Sequence, residues 1–288
     1  MSNFRGIWVA LVTPFRSGHV DFDALQALAS KFLAEGARGL VVCGTTGEAA
    51  AMSKDEQLKA LDAVLEVAQP AQVIMGLSGN NLQEVLAFQQ KIQSRDIAGV
   101  LVPAPYYIRP SQQGIESYFQ AVADSSSVPV VVYDIPYRTG VRIERDTIRR
   151  IVQHSNIIAV KDCGGDLETT MALINDGHAQ VLTGEDIQIL TNLALGGAGA
   201  ISASAHIHTD LYVQMVREMD RGDIGTARAL FYRLLPWIQS AFAEPNPAVV
   251  KAALSVQGLI ANELREPMLP CSALAMERLR SVLPPITP

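Results

Sequence analysis

A short apolar run followed by a longer amphipathic segment recurs eight times, and no other feature constrains the fold of this chain as strongly. The runs are rich in β-branched residues and end in Gly, Pro, Thr or Asp, a profile typical of buried parallel strands. They span residues 7–15, 39–48, 71–79, 99–107, 128–136, 156–164, 179–186 and 199–206. Eight strand–helix units predict a closed (β/α)8 TIM barrel. An open doubly wound sheet is the competing fold, which is disfavoured because no GxGxxG follows the first strand.

The first two amphipathic segments, 21–37 and 53–69, carry recognisable helix starts. Asp21 and Ser53 are predicted N-caps, and Glu56 stands three residues after Ser53, as a capping box requires.

The strand–helix period stops after residue 207. Segments 210–242, 246–260 and 272–283 have helical patterns, and no strand pattern accompanies them. We therefore predict a barrel over residues 1–222 and a helical C-terminal extension of the same unit over 223–288.

Composition excludes several classes of partner. The 288 residues have a formal net charge of −6 and no Lys/Arg cluster, which argues against binding to nucleic acid or to an anionic membrane. No apolar run approaches the length of a membrane span, and the N-terminal apolar stretch is too short for a signal peptide. Cys43, Cys163 and Cys271 lack the paired spacings of zinc or redox sites, so we expect reduced thiols in a cytoplasmic protein.

The residue of greatest chemical interest is Lys161, which follows the apolar run 157–160 at the end of the sixth predicted strand. Such a lysine is either a solvated charge or an amine held in a pocket. A neutral lysine amine can attack a ketone and form an imine. Half-neutrality at pH 7 requires a pKa decrease of about 3 units, or about 4 kcal/mol, which burial at a strand end can largely supply.

Other strand ends carry groups that suit this chemistry, because barrel enzymes collect catalytic groups at the carboxyl ends of their strands. Hydroxyls and phenols can shuttle protons, and a guanidinium can bind a carboxylate. The candidates are Thr45, Thr46, Tyr106, Tyr107, Tyr133 and Arg138. Each also has an ordinary structural explanation: the threonines as helix caps, the tyrosines as packing residues and the arginine as a solvated loop charge.

Metal chemistry has one weak candidate. His206 and His208 form an HxH pair, but no nearby Cys or regularly spaced carboxylate completes a ligand set. We therefore predict neither a metal nor another cofactor.

Four ordered motifs resemble the dihydrodipicolinate synthase / N-acetylneuraminate lyase family of cofactor-independent aldolases. They are GTTGE at 44–48, PYYIRPS at 105–111, YDIPYRTG at 133–140 and VKDCGGD at 160–166, and the resemblance extends to EPNP at 244–247. It implies a (β/α)8 barrel, generally a homotetramer, that binds pyruvate as an imine on the barrel lysine.

The same resemblance implies roles for individual residues. Lys161 would form the Schiff base, and Tyr133 would shuttle protons. Thr46 would relay protons between Tyr133 and Tyr107, the latter contributed by a neighbouring subunit. Thr45 and Thr46 would also hold the pyruvate carboxylate.

Gly184 and Ile201 fall where members of this family line the lysine pocket. Arg138, in its RTG context, resembles the arginine with which the synthases of the family receive the carboxylate of aspartate semialdehyde. Sugar-acid lyases usually lack this arginine.

The chain departs from the synthase pattern at three places that we expect to surround the second substrate. Asp134 replaces an asparagine, Tyr137 replaces a small residue, and Asp162-Cys163 replaces a glutamate–alanine pair.

The leading functional hypothesis is condensation of pyruvate with L-aspartate-4-semialdehyde in a homotetramer built from tight dimers. One alternative is retro-aldol cleavage of a 2-keto-3-deoxy sugar acid or a related keto acid. Another is a non-catalytic barrel that binds a keto acid.

Overall fold

The structure is a computed structural model that describes residues 3–283. Its strands are β1 (Gly6–Ala10), β2 (Phe15–Arg16), β3 (His19–Val20), β4 (Gly39–Val42), β5 (Val73–Gly76), β6 (Gly99–Pro103), β7 (Val130–Asp134), β8 (Ile157–Asp162), β9 (Gln180–Thr183) and β10 (Gly199–Ser202). Its helices are α1 (Phe22–Ala34), α2 (Lys54–Leu65), α3 (Leu82–Ile92), α4 (Gln112–Asp124), α5 (Pro136–Thr139), α6 (Arg145–Ile151), α7 (Leu167–Asp176), α8 (Ile189–Ala194), α9 (Thr209–Asp220), α10 (Ile224–Ala241), α11 (Ala248–Val256) and α12 (Ala273–Val282).

Eight of the strands form a closed parallel barrel in the order β1-β10-β9-β8-β7-β6-β5-β4. Each barrel strand lies within one of the eight predicted runs or begins one residue before it. The predicted TIM barrel is therefore confirmed, and so are the helices that follow it.

By contacts, the described chain divides into two compact units: residues 3–6 with 70–201, and residues 7–69 with 202–283. In the first unit, β7 pairs with β6 on one side and with β8 on the other. Val130, Val131 and Val132 of β7 are fully buried, as expected for a strand covered on both faces.

In the second unit, buried aromatic residues of α9 and α10 are hydrogen-bonded to Ser204, which follows β10. Trp237 of α10 donates a hydrogen bond to the Ser204 carbonyl at 2.7 Å, and the Ser204 hydroxyl lies 2.6 Å from the Tyr212 hydroxyl. Both aromatic side chains are buried, so their polar atoms find partners inside the core.

Both predicted helix starts are confirmed. The Asp21 carboxylate accepts a hydrogen bond from the Ala24 amide at 3.1 Å, and Ser53 with Glu56 forms the complete capping box of α2.

One element was not predicted, the two-stranded β2–β3 hairpin, in which Phe15 pairs with Val20. In the tail, the predicted segment 210–242 is two helices, α9 and α10, separated by Gly222 with φ +80°. The domain boundary after residue 222 falls in this turn and remains a prediction.

None of the helices described between residues 3 and 283 combines the length and the apolar character that crossing a bilayer requires.

Candidate active site

Lys161 is the last-but-one residue of β8 and only 6% exposed. It pairs in register with Tyr133 on β7, so the two side chains project from the same face of adjacent strands. The Lys161 Nζ atom lies 4.2 Å from the centroid of the buried Tyr133 ring. The structure thus brings the predicted nucleophile and the predicted proton shuttle into contact, and it does not place Lys161 in solvent.

The surroundings of Lys161 favour the neutral amine. Burial lowers its pKa from the ordinary value of 10.5, and the Arg138 guanidinium acts in the same direction. The Cys163, Asp186 and Glu185 side chains oppose this decrease. Burial is the largest of these effects, and a neutral lysine amine is the form that attacks carbonyl carbon.

Gly184 lies directly beside the lysine. A Cβ atom at this position would be 2.5 Å from Cε of Lys161 and would also collide with Sγ of Cys163. Only a glycine lets the chain pass so close to the amine. Ile201 is buried in β10, which β9 separates from the strand of Lys161, so its predicted place in the lysine pocket remains a prediction.

Arg138 lies on the short helix α5, one turn after the end of β7. It is exposed, and no residue of the described chain forms a hydrogen bond or an ion pair with its guanidinium. The group is therefore free to bind an incoming carboxylate.

Tyr107 is 87% exposed and has φ +70°, a backbone conformation that non-glycine residues seldom adopt. Its amide donates to the Thr139 carbonyl at 3.0 Å, which holds the turn against the end of α5. The packing explanation for Tyr107 is wrong within a single chain, because its ring is not buried there.

In the second unit, Thr45 and Thr46 follow β4 in a turn in which the Glu48 amide donates to the Thr45 carbonyl at 3.1 Å. The Thr46 hydroxyl accepts a hydrogen bond from the Asn246 side-chain amide at 2.8 Å. Since Ser53 caps α2, the capping explanation for the two threonines is wrong.

A buried ion pair anchors the same turn. Glu48 has φ +53° and pairs with Lys251 of α11, which is fully buried. The Arg265 amide donates to the other Glu48 oxygen at 3.1 Å. Lys251 also donates to the Glu263 carbonyl at 2.8 Å. We predicted no role for Asn246, Glu48 or Lys251, although the motifs GTTGE and EPNP contain the first two.

Two of the departures from the synthase pattern face each other. Asp134 and Asp162 are register partners on β7 and β8, and a Cβ at Gly164 would lie 2.5 Å from an oxygen of the first and 3.2 Å from an oxygen of the second. Asp162 accepts a 2.5 Å hydrogen bond from Thr170 of α7. Because side chains alternate along a strand, this carboxylate pair projects to the face opposite Lys161.

The surroundings of Asp134 disfavour its charged form. Burial and the nearby Asp162 carboxylate raise the pKa of Asp134 to about 7, although Ile143 and Arg142 act in the opposite direction. Its Oδ1 atom is buried, and no hydrogen-bond partner for it lies within residues 3–283.

His206 has a structural role. Its Nε2 accepts from the Val12 amide at 3.1 Å, and its Nδ1 lies 2.7 Å from the Ala203 carbonyl. Burial lowers the pKa of His206 to about 4, so the ring is neutral at pH 7. With both nitrogens engaged, it cannot act as the metal ligand considered from the HxH pair.

Comparisons with known proteins agree with this geometry. Residues 3–285 match the family model described as the Dihydrodipicolinate synthetase family. The chain is 36% identical to the 4-hydroxy-tetrahydrodipicolinate synthase of Thermodesulfovibrio yellowstonii, over 97% of each chain. It is 37% identical to 4-hydroxy-tetrahydrodipicolinate synthase 2 of Clostridium acetobutylicum, over 97% of this chain and 99% of the relative. A solved structure described as the first monomeric dihydrodipicolinate synthase variant is 31% identical, with a TM-score of 0.93 over 98% of this chain and 96% of that one.

Proposed function

This chain belongs to the dihydrodipicolinate synthetase family, and we propose that it condenses pyruvate with L-aspartate-4-semialdehyde to 4-hydroxy-tetrahydrodipicolinate. It is a class I aldolase-type lyase. The observation that carries the reaction is the buried amine of Lys161 against the ring of Tyr133.

The reaction balances without a cofactor. The Lys161 amine adds to the pyruvate ketone and loses water, which forms an imine. A proton leaves the pyruvate methyl group, and the resulting enamine carbon attacks the aldehyde. The ammonium of the second substrate then loses a proton, the free amine attacks the imine carbon and closes the ring, and Lys161 leaves as its nitrogen takes up a proton. Overall, one water molecule is lost.

Tyr133 is the proposed proton shuttle for these steps, and its contact with the amine supports that role. Thr45 and Thr46 are the proposed site for the pyruvate carboxylate, and Thr46 is the proposed relay from Tyr133 to Tyr107. The Asn246 amide supports a relay at Thr46, because it occupies a lone pair of the hydroxyl and leaves the hydroxyl proton to be donated elsewhere.

Arg138→Ala tests the identity of the second substrate. We expect a higher semialdehyde KM and a lower turnover, with kcat/KM reduced roughly 10- to 150-fold, since a charge-assisted hydrogen bond contributes about 1.5–3 kcal/mol. Steady-state kinetics with both substrates measure the effect. Arg228→Ala, at an exposed position of α10, is the matched control and should leave the kinetics unchanged.

The same assay separates the alternative functions. A wild-type protein that ignores the semialdehyde but cleaves a 2-keto-3-deoxy sugar acid would be a lyase. A protein that pyruvate stabilises against heat, without turnover of any acceptor, would be a keto-acid-binding barrel.

We also propose a homotetramer built from tight dimers. The 87% exposure of Tyr107 supports contribution of its phenol to a neighbouring chain. The fold alone does not require this assembly, as one solved relative is described as monomeric.

Subunit mixing tests whether Tyr107 is shared. Lys161→Ala and Tyr107→Phe are each expected to be inactive, yet their mixture should recover up to roughly a quarter of wild-type activity, because one site of each mixed dimer is intact. A mixture of Lys161→Ala with Tyr133→Phe is the control and should recover none, since those two groups belong to the same chain. Absence of recovery in the first mixture, despite verified exchange, would show that Tyr107 serves its own barrel.

A cytoplasmic location is the remaining proposal. It is supported by three unpaired cysteines, two of them buried, as is usual in a reducing compartment.

A further inference from the structure

The loop after β9 is tied to α5 by a hydrogen bond that involves a further departure from the synthase pattern. The Tyr137 hydroxyl donates to Oε1 of Glu185 at 2.9 Å. Tyr137 is otherwise 66% exposed and Glu185 is half-buried. The small residue that the family resemblance implies at this position could not make this bond.

The bond joins two segments of opposite charge on either side of the nucleophile. Gly184 abuts the Lys161 side chain, and the carboxylate of the next residue, Glu185, acts on the Lys161 amine electrostatically. Arg138 directly follows Tyr137 on α5. Both charges affect Lys161: the Glu185 carboxylate raises the pKa of its amine, and the Arg138 guanidinium lowers it. An anion and a cation therefore both act on the amine that forms the imine, from segments that follow the two strands next to β8.

This pair of charges matches an amino-acid aldehyde. L-aspartate-4-semialdehyde carries an α-carboxylate and an α-ammonium on the same carbon, two bonds from the reacting aldehyde. A guanidinium fork suits the carboxylate, and a fixed carboxylate suits the ammonium. An acceptor without the ammonium would leave the half-buried Glu185 carboxylate without a counter-ion, which disfavours that acceptor.

We propose that Glu185, positioned by Tyr137, binds the ammonium of the acceptor and thereby selects amino-acid aldehydes over aldehydes that carry a carboxylate alone. This inference rests on the proposed function and adds a specificity-determining pair to it. Glu185 contacts the substrate, whereas Tyr137 is a positioning residue.

Succinate semialdehyde is the natural probe, because it equals the proposed acceptor without its amino group. For each variant, we would measure the KM of L-aspartate-4-semialdehyde and the inhibition constant of succinate semialdehyde in the same assay. The ratio of the KM to the inhibition constant reports recognition of the ammonium. Loss of a contact with a merely structural role would leave this ratio unchanged.

Glu185→Gln is expected to raise the KM of L-aspartate-4-semialdehyde roughly 10-fold or more, as expected for a lost charged hydrogen bond. The inhibition constant of succinate semialdehyde should stay within about twofold or decrease, and borohydride trapping of pyruvate on Lys161 should be unchanged. Tyr137→Phe should shift the ratio in the same direction by a smaller factor, roughly 2- to 10-fold. Tyr232→Phe, an exposed tyrosine of α10, is the matched control.

A ratio in Glu185→Gln equal to that of the wild type, whether both aldehydes bind more weakly or neither does, would overturn the inference. Wild-type turnover of L-aspartate-4-semialdehyde with an unchanged ratio would thus reject ammonium recognition and leave the proposed function standing. No turnover of that substrate by the wild type would overturn the proposed function, and the inference with it.

Discussion

Borohydride reduction in the presence of pyruvate is expected to modify Lys161 and none of the other lysines, adding a carboxyethyl group to its amine. Lys161→Ala should lose this label and lower kcat by on the order of 10³-fold or more, the scale associated with removal of a covalent nucleophile. Peptide mass spectrometry and steady-state kinetics measure the two effects. The physical reason is burial, which favours the neutral amine of Lys161 at the strand end.

Lys251 provides an internal control, because it is also buried. Its amine is engaged by Glu48 and by the Glu263 carbonyl, so it should not react. Label on Lys251 or on an exposed lysine, or no label on folded wild-type protein, would contradict the aldolase mechanism.

The second large effect concerns stability and pH, and it depends on Asp134. The pKa of this carboxyl is about 7 in the folded protein and ordinarily 3.8. The folded state therefore retains a proton that the unfolded chain has lost, so this group favours folding at low pH. Its contribution is complete below pH 3.8, declines as pH rises and is lost above about pH 7, a total of up to about 4 kcal/mol.

Asp134→Asn removes the charge and nearly preserves the shape. We expect the variant to be more stable than the wild type at pH 8, by up to about 4 kcal/mol, and the difference to shrink by about 2–3 kcal/mol at pH 5. Urea denaturation at both pH values measures the free energy of unfolding. Asp96→Asn, at an exposed position, should show no such pH-dependent difference. An equal effect of Asp134→Asn at pH 5 and pH 8 would mean that Asp134 is ionised throughout.

The barrel was predictable because its signal is periodic and local. Within the run 128–136, residues 128–133 carry no charged side chain, and a strand covered on both faces accounts for that pattern over so few residues. The β2–β3 hairpin was not predictable in the same way. Its strands have two residues each, which is too short for any periodicity to show.

The site was predictable where it depends on strand ends, as for Lys161 and Tyr133. Contacts between side chains that are distant in sequence were not predictable. Asn246 and Thr46 are 200 residues apart, and neither pattern nor composition indicates that an amide meets that hydroxyl. Asp134 and Asp162 were visible as unusual residues, but only the strand register places the two carboxylates opposite each other.

The contacts of Asn246 and Lys251 with the turn after β4 limit how barrels of this family can be recombined. A chimera joined near residue 222 would take Asn246 and Lys251 from one parent and Thr46 and Glu48 from the other. A mismatch at Glu48 or Lys251 leaves one buried charge without its counter-ion, a loss of about 3–5 kcal/mol. Crossovers in this family should therefore exchange GTTGE and the segment around EPNP together, as one inherited block.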